Sequence, residues 1–513
     1  MKRRPTLGMG GAAAVVSASI LISRLLGVLR ESVLAAVLGI SAEGSLYRNA
    51  FLLPDFLNYL LAGGFLSITL IPLLARRFEA GEQREAWLDF TAVFRVVAIA
   101  IVGLTVAAWI AAQPLLGALF PRLPADSVRT VVELTRVALP AQIFFVLGAL
   151  FMAVSYSQKR FFYPALAPVV YNLGIIVGGL LGAALDQPSP HAFVWGAVIG
   201  AAIGNFGLQW IGAHRAGMRW VRGPSRQAVR EYLILALPLM IGQSVAVLDE
   251  QFPRLFGQLV DEGTTAALSF ARMLNMLPVG LIAQAAGVAS YPFLASLAAK
   301  GNTTELGATT LKATRSAAVA GMAATAFVVA AAQPIVRLVY QWGRFSDNDV
   351  EVVSGLLVIF SLSIPAWAIH QVVGRWFYAN RRMWTPVVIG TAATVVAIPL
   401  TLVLTARAGA AGIAWASTIV MWLYTLALAG WWIWDSERSF AHSLVSGMLR
   451  ALPAAAAAAW AGRLVVNALG GSNPLTALPA LVTAALAVAT VLLMVGSLLR
   501  VSELTGWRSK INR

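Results

Sequence analysis

Residues 22–32 read ISRLLGVLRES, and they lie within an apolar run from about residue 11 to residue 39. An ionised side chain near the bilayer centre costs at least ~2.5–3.5 kcal/mol on insertion scales. Arg24, Arg30 and Glu31 are therefore out of place in that run unless they serve something. The rest of the chain shows that the run is not an isolated oddity. The sequence has 513 residues, is 59% hydrophobic and only 12% charged, and has a mean hydropathy of +0.77, where a soluble domain carries about 25% charge. Apolar segments fall near 11–39, 45–75, 87–120, 128–156, 162–185, 190–212, 228–260, 265–297, 306–340, 350–379, 384–406, 411–433, 441–468 and 476–500. An outer-membrane barrel would show alternating stretches of ~10 residues instead. The expected fold is an all-α polytopic membrane protein of about fourteen transmembrane helices.

The start, MKRRPTLG, is basic, but the apolar run behind it is too long for a signal-peptide core, so no cleavable signal is expected. Cysteine is absent, which excludes disulfides and thiolate metal sites. The net charge of +16 does not point to nucleic acid, because the basic residues are spread over short loops. Arg76, Arg77 and Arg84, Lys159 and Arg160, the cluster Arg215, Arg219, Arg222, Arg226 and Arg230, then Lys300, Arg381, Arg382 and the tail all fall on one side. DQPSPHA and NALGGSNPLTA on the other side carry no Lys or Arg. Arg122, Arg129, Arg337 and Arg344 depart from this positive-inside bias without reversing it. Both termini are expected in the cytoplasm, with the chain in a bacterial inner membrane.

An internal repeat is legible. AQPLLGALF at 112–120 returns as AQPIVRLVY at 332–340, IPLLARRFEAG at 71–81 as YPFLASLAAKG at 291–301, and YSQKRFFYP at 156–164 as YANRRMWTP at 378–386. The spacing of roughly 220 residues spans six helices, an even number, so the halves share one orientation. Parallel repeats of this kind enclose a substrate path. The expected organisation is two six-helix lobes, 1–222 and 223–438, followed by two accessory helices and a cytoplasmic tail, 439–513.

Several further charges sit within segments. Arg48, Arg136 and Arg375 lie near segment ends, where arginine can snorkel. Glu133 and Arg136, three apart, read as an intrahelical ion pair. His370 reads as a packed polar residue. Asp55 and Asn58 lie in the second segment, Asp249 and Glu250 in the seventh, and Arg272 midway along the eighth. Arg24 and Arg30, six apart, point about 120° from one another on an ideal helix. A bend at Gly27 between them would aim both into one cavity. Convergent guanidinium groups suit a phosphate or pyrophosphate, which they grip in bidentate fashion.

SRLLGVLRE (23–31), AGGFLSITLIPLLARRFEAG (62–81), SQKRFFYPALAPVVYN (157–172), ARMLNMLPVGLIAQAAGVASYPFLA (271–295), YQWGRFS (340–346) and FYANRRMWTP (377–386) resemble the MurJ/MviN family. Those proteins are the lipid II flippases of bacterial cell-wall synthesis, within the multidrug/oligosaccharidyl-lipid/polysaccharide exporter superfamily. The resemblance implies two lobes around a cationic cavity, with two further helices forming a groove for a polyprenyl tail. It also implies alternating access for a polyprenyl-pyrophosphate-linked glycan, moved from the cytoplasmic to the outer leaflet for peptidoglycan biosynthesis. Arg24 and Arg30 match the family's cavity arginines, with Glu31 where an acid usually follows. Arg272 and Asn58 stand at or beside further substrate positions, and Glu31, Asp55, Asp249 and Glu250 are candidate polar or ion-binding residues. Departures occur at Ser45, Asn58, Gly63, Met273 and Arg382, where the family carries other residue types. Two alternatives remain open: a flippase for another lipid-linked glycan, and a non-transporting scaffold paralogue in cell-wall synthesis. No phosphate-binding glycine loop, nucleophile elbow or metal-ligand cluster suggests an enzyme, and no cofactor is expected. The drive would come from a monovalent cation or the membrane potential. The expected partners are the lipid-linked substrate, the bilayer and cell-wall synthesis proteins, not nucleic acid.

Overall fold

The computed structural model describes residues 9–62, 65–185, 189–234, 236, 248–469 and 473–505; among them only helices and their connecting turns occur. In the first part of the chain these are α1 (Met9–Leu38), α2 (Ala42–Ala50), α3 (Leu52–Ala62), α4 (Phe65–Glu79), α5 (Gln83–Leu119), α6 (Ala125–Ala138), α7 (Pro140–Ser157), α8 (Phe162–Ala184) and α9 (Pro190–Gly200). A π-helical turn, Ala201–Gly207, leads into α10 (Leu208–Arg215), then α11 (226–234) and α12 (Leu248–Gly257). There follow α13 (Thr264–Ala299), α14 (Thr303–Tyr340), α15 (Asp347–Ser361), α16 (Ile364–Ala379), α17 (Trp384–Asp435), α18 (Ser439–Leu469), α19 (Pro474–Leu498) and α20 (Ser502–Thr505). The chain divides into two compact units, Met1–Gln258 and Leu259–Arg513.

Among the described residues 10 helical segments are long and apolar enough to cross a membrane, so the all-helical polytopic fold stands, while the expected number of about fourteen spans is not reached in this set. Part of the difference is α17, counted once although it contains two of the expected segments. Its 52 residues would extend ~78 Å as one straight helix, more than twice the hydrocarbon thickness. Gly409 breaks it at φ 55, ψ −133, a left-handed conformation that glycine adopts without Cβ strain. Beyond the break the chain folds back on itself. A Cβ at Gly412 would lie 2.0 Å from the Leu404 carbonyl oxygen, and the Tyr424 hydroxyl donates to the Pro386 carbonyl at 2.9 Å.

The sequence repeat is also a repeat of turns. Gly81 and Gly301, 220 apart, both take positive φ (78 and 69), and so do Lys159 and Arg381, 222 apart (57 and 59). The hydrogen bonds match: Arg160 N–H donates to the Ser155 carbonyl and Arg382 N–H to the Phe377 carbonyl, each at 2.9 Å. Each turn closes the C-terminus of a helix by reaching back to an orphan carbonyl.

In the first unit, α8 and α9 meet along glycines spaced by four. A Cβ on Gly174 would stand 2.6 Å from the Gly196 carbonyl oxygen, and one on Gly178 2.5 Å from that of Ala192. The backbones touch, as small residues permit where helix packing rather than water exclusion drives association. At one end of this unit, Trp87, Phe90, Phe151 and Leu74 form a buried core.

Candidate functional site

Glu31 is the centre of the candidate site. Its carboxylate is 4% exposed and accepts from two arginines at once. Arg30 Nη2 lies 2.7 Å from Oε1, and Arg48 Nη2 lies 2.6 Å from Oε2. Arg30 also donates through Nη1 to Asn172 Oδ1 on α8 at 3.1 Å. Asn172 is fixed in turn, because its Nδ2 donates to the Pro168 carbonyl at 2.9 Å. The arginine side chains are 24% and 13% exposed, so the cluster is largely withdrawn from its surroundings while Arg30 keeps an open edge.

Local chain chemistry explains why these groups meet. Gly39, with φ 63, ends α1, and Ser41 caps α2 by accepting from Gly44 N–H at 3.1 Å. The chain thus reverses between residues 39 and 41, with Glu31 and Arg48 nearly equidistant from the turn on its two arms. The α2 arm is held by the Thr135 hydroxyl on the Ala50 carbonyl, 2.9 Å, and by Tyr47 edge-on to Phe193 of α9, with centroids 5.8 Å apart. Asn172 lies within the glycine contact of α8 with α9, where Gly200 approaches Tyr171 on one side of it and Gly196 approaches Gly174 on the other.

The other expected residues distribute as follows. Arg24 is exposed on α1 with Leu21 and Leu25, two turns before Glu31 and on nearly the same side of the helix. Gly27 is buried inside α1, which runs unbroken from Met9 to Leu38. Asp55 accepts from Arg254 at 2.7 Å, and Arg254 also donates to Gln251 at 2.7 Å. Asn58 is half-buried one turn further along α3. Arg272 belongs to the second unit, where its Nη1 lies 3.4 Å from Ser417 Oγ. Ser45 is buried in α2, and Met273 is half-buried beside Arg272. Gly63 and the side chains of Asp249 and Glu250 lie outside the described residues. Arg382, at a position where an acid was expected, pairs with Asp435 at 2.8 Å.

Two expectations need correction. Arg48 does not snorkel: the nearby carboxylate of Glu31 outcompetes the interface and turns the guanidinium inward. Arg136 does not pair with Glu133. It lies over the Trp109 ring, 4.6 Å from the centroid, and donates to the Trp109 carbonyl at 3.2 Å, which satisfies charge and donor together. His370 packs its ring 4.6 Å from that of Tyr424, the packed polar role its isolation suggested. The residue that sequence reasoning missed outright is Asn172, whose only signal was an amide inside the apolar segment 162–185.

A two-unit, all-helical chain with many spans and with arginines paired on a buried carboxylate in its first unit defines a multi-pass membrane protein of transporter architecture. The comparisons agree and go further: the chain belongs to the lipid II flippase MurJ family, whose model matches residues 34–468. A probable lipid II flippase MurJ of Rhizobium meliloti (strain 1021) is 28% identical over 483 residues, covering 92% of this chain and 89% of the relative. The solved structure of a lipid II flippase MurJ in an inward closed conformation superposes with a TM-score of 0.77 at 19% identity, over 94% of this chain and 98% of that one. An inward-facing multidrug resistance MATE family transporter of the MOP superfamily shares the fold at a TM-score of 0.68 and 16% identity, covering 83% of this chain and 98% of that one. The protein is therefore a multi-pass bacterial membrane protein of a flippase family.

Proposed function

We propose that this chain carries lipid II from the cytoplasmic to the outer leaflet of the bacterial inner membrane by alternating access, for peptidoglycan synthesis. In this reading Arg24, Arg30 and Arg48, with Glu31, form the part of the path in the first unit that meets the pyrophosphate. The observation that carries it is the pair of guanidinium groups, one from α1 and one from α2, on one buried carboxylate in a chain from this family. A buried ion cluster is expensive to maintain, and the open edge of Arg30 offers a diphosphate a charge-assisted contact. Arg30, with its open edge, is placed to exchange Glu31 for a phosphate oxygen, while Arg48 stays on the carboxylate and holds the charge balance. Arg24, on the exposed face one and a half turns away, makes first contact.

The two repeat halves, 1–222 and 223–438, act as the alternating lobes, the segment 439–513 serves the polyprenyl tail, and both termini lie in the cytoplasm. Transport needs no bond-making step; a monovalent cation or the membrane potential supplies the drive. Cell-wall synthesis proteins are the expected neighbours.

The test is complementation of a bacterium depleted of its own lipid II flippase. The native gene should restore growth, and Arg24→Ala should abolish the rescue at equal membrane abundance. Arg24→Lys should also fail or grow poorly, because an ammonium cannot make the planar bidentate grip. Native protein in the membrane without rescue would overturn the lipid II assignment. Full rescue by Arg24→Lys would remove the phosphate contact alone.

A further inference from the structure

A second cationic feature lies outside the Glu31 cluster, where α5 meets the start of α11. A cavity of about 570 Å³, open to the surface, is walled by Arg95 and Val96 of α5, by Arg226, Arg230, Leu233 and Ile234 of α11, and by Gly223, Pro224 and Ser225 of the loop that leads from α10 into α11. Among the described residues none of the three arginines has a carboxylate partner. The nearby acids are committed elsewhere. Asp89 accepts from Arg77 at 3.1 Å and from the Ser225 hydroxyl at 2.6 Å, and Glu231 pairs with Arg76 at 3.0 Å.

The loop wall is fixed in place. Trp220 packs against Phe94 with centroids 4.8 Å apart, Val221 N–H donates to the Thr91 hydroxyl at 3.2 Å, and Ser225 is tied to Asp89. The placement along the membrane normal follows from α5 itself. Residues 96–119 contain no charged side chain and span ~36 Å, enough for the hydrocarbon core, so Arg95 stands at the level of the polar headgroups. On the same helical face beyond it come Ile99, Val102 and Val106, all exposed. An arginine at headgroup depth thus heads an apolar stripe at helical spacing, beside two more arginines and an apolar floor.

We propose that this cavity is a binding site for an anionic phospholipid. The phosphate is held among Arg95, Arg226 and Arg230, and the acyl chains lie along Val96, Ile234 and the Ile99 stripe. Basic pockets at helix edges on the membrane surface bind such headgroups, each cation contributing through charge, and the stripe adds what a free phosphate cannot use. The site is independent of the transport reading, because it lies on the outer surface of the first unit and uses none of the residues assigned to transport.

The experiment measures fluorescence polarisation of tail-labelled phosphatidylglycerol on the purified full chain in neutral detergent, with unlabelled competitors. Phosphatidylglycerol should compete and phosphatidylcholine should not. Affinity should fall about fivefold for each guanidinium removed, so that Arg95→Gln/Arg226→Gln/Arg230→Gln loses the headgroup preference while the triple lysine variant keeps most of it. Undiminished preference in the glutamine variant overturns the site. Should that variant not purify as a single species, Ile99→Asn decides: weaker phosphatidylglycerol binding supports the acyl path, and unchanged binding removes it. Competition by glycerol phosphate as strong as that by phosphatidylglycerol would show a phosphate site rather than a lipid site and overturn the proposal.

Discussion

Glu31 holds two guanidinium groups, and its removal takes this carboxylate from both in a place that water scarcely reaches. Breaking a buried pair from one side costs about 3–5 kcal/mol, so Glu31→Ala should lower the thermal midpoint of the purified chain markedly. Glu31→Gln, which keeps shape and an acceptor, should lie between native and alanine. A midpoint for Glu31→Ala equal to that of the native chain would show that the cluster contributes nothing to stability. Much of this site could be read beforehand. Charges in an apolar helix announce themselves, and Arg30 and Glu31 did so as neighbours. Their partners did not, because an ion pair between residues 31 and 48 depends on where the chain turns. The clue was Gly39 followed by Ser41, a helix stop and a helix start two residues apart, which makes the flanking segments face one another. Asn172, 142 residues from Arg30, could not be assigned to it by any local pattern.

Helices here are positioned by what they omit as much as by what they carry. The contact of α8 with α9 leaves no room for a side chain at Gly174 or Gly196, where a Cβ would stand 2.6 and 2.4 Å from the opposing carbonyl oxygen. Gly174→Val must separate the helices, and overpacking costs about 1–3 kcal/mol. The variant should unfold at lower temperature and also lose rescue, because Asn172 would move away from Arg30. An unchanged melting curve would contradict the close contact. Gly103 has open space around it, and Gly103→Ala, mid-helix, should be tolerated or slightly stabilising, since alanine is the better helix former. Spacings such as G174-x-x-x-G178 were visible in the sequence, yet the same composition occurs in helices that touch nothing. Which glycines matter became evident only once the neighbouring backbone was placed.

At the scale of the whole molecule, the repeat was the most legible feature, since the echoing segments end in turns of the same handedness at Gly81 and Gly301 and at Lys159 and Arg381. The number of spans was less legible, because long apolar stretches can be split or merged by one residue. The proposed topology has a direct check: the chain has no cysteine, so single cysteines report without background. Arg219→Cys should resist a membrane-impermeant maleimide in intact cells, and Ser189→Cys should react. The reverse pattern would invert the orientation. The hairpin at Gly409 adds something of a different kind. Two crossings joined by a single glycine expose no loop for a protease to cut, an antibody to recognise or an inserted tag to occupy. Surveillance or engineering from the side of that bend must therefore use other connections.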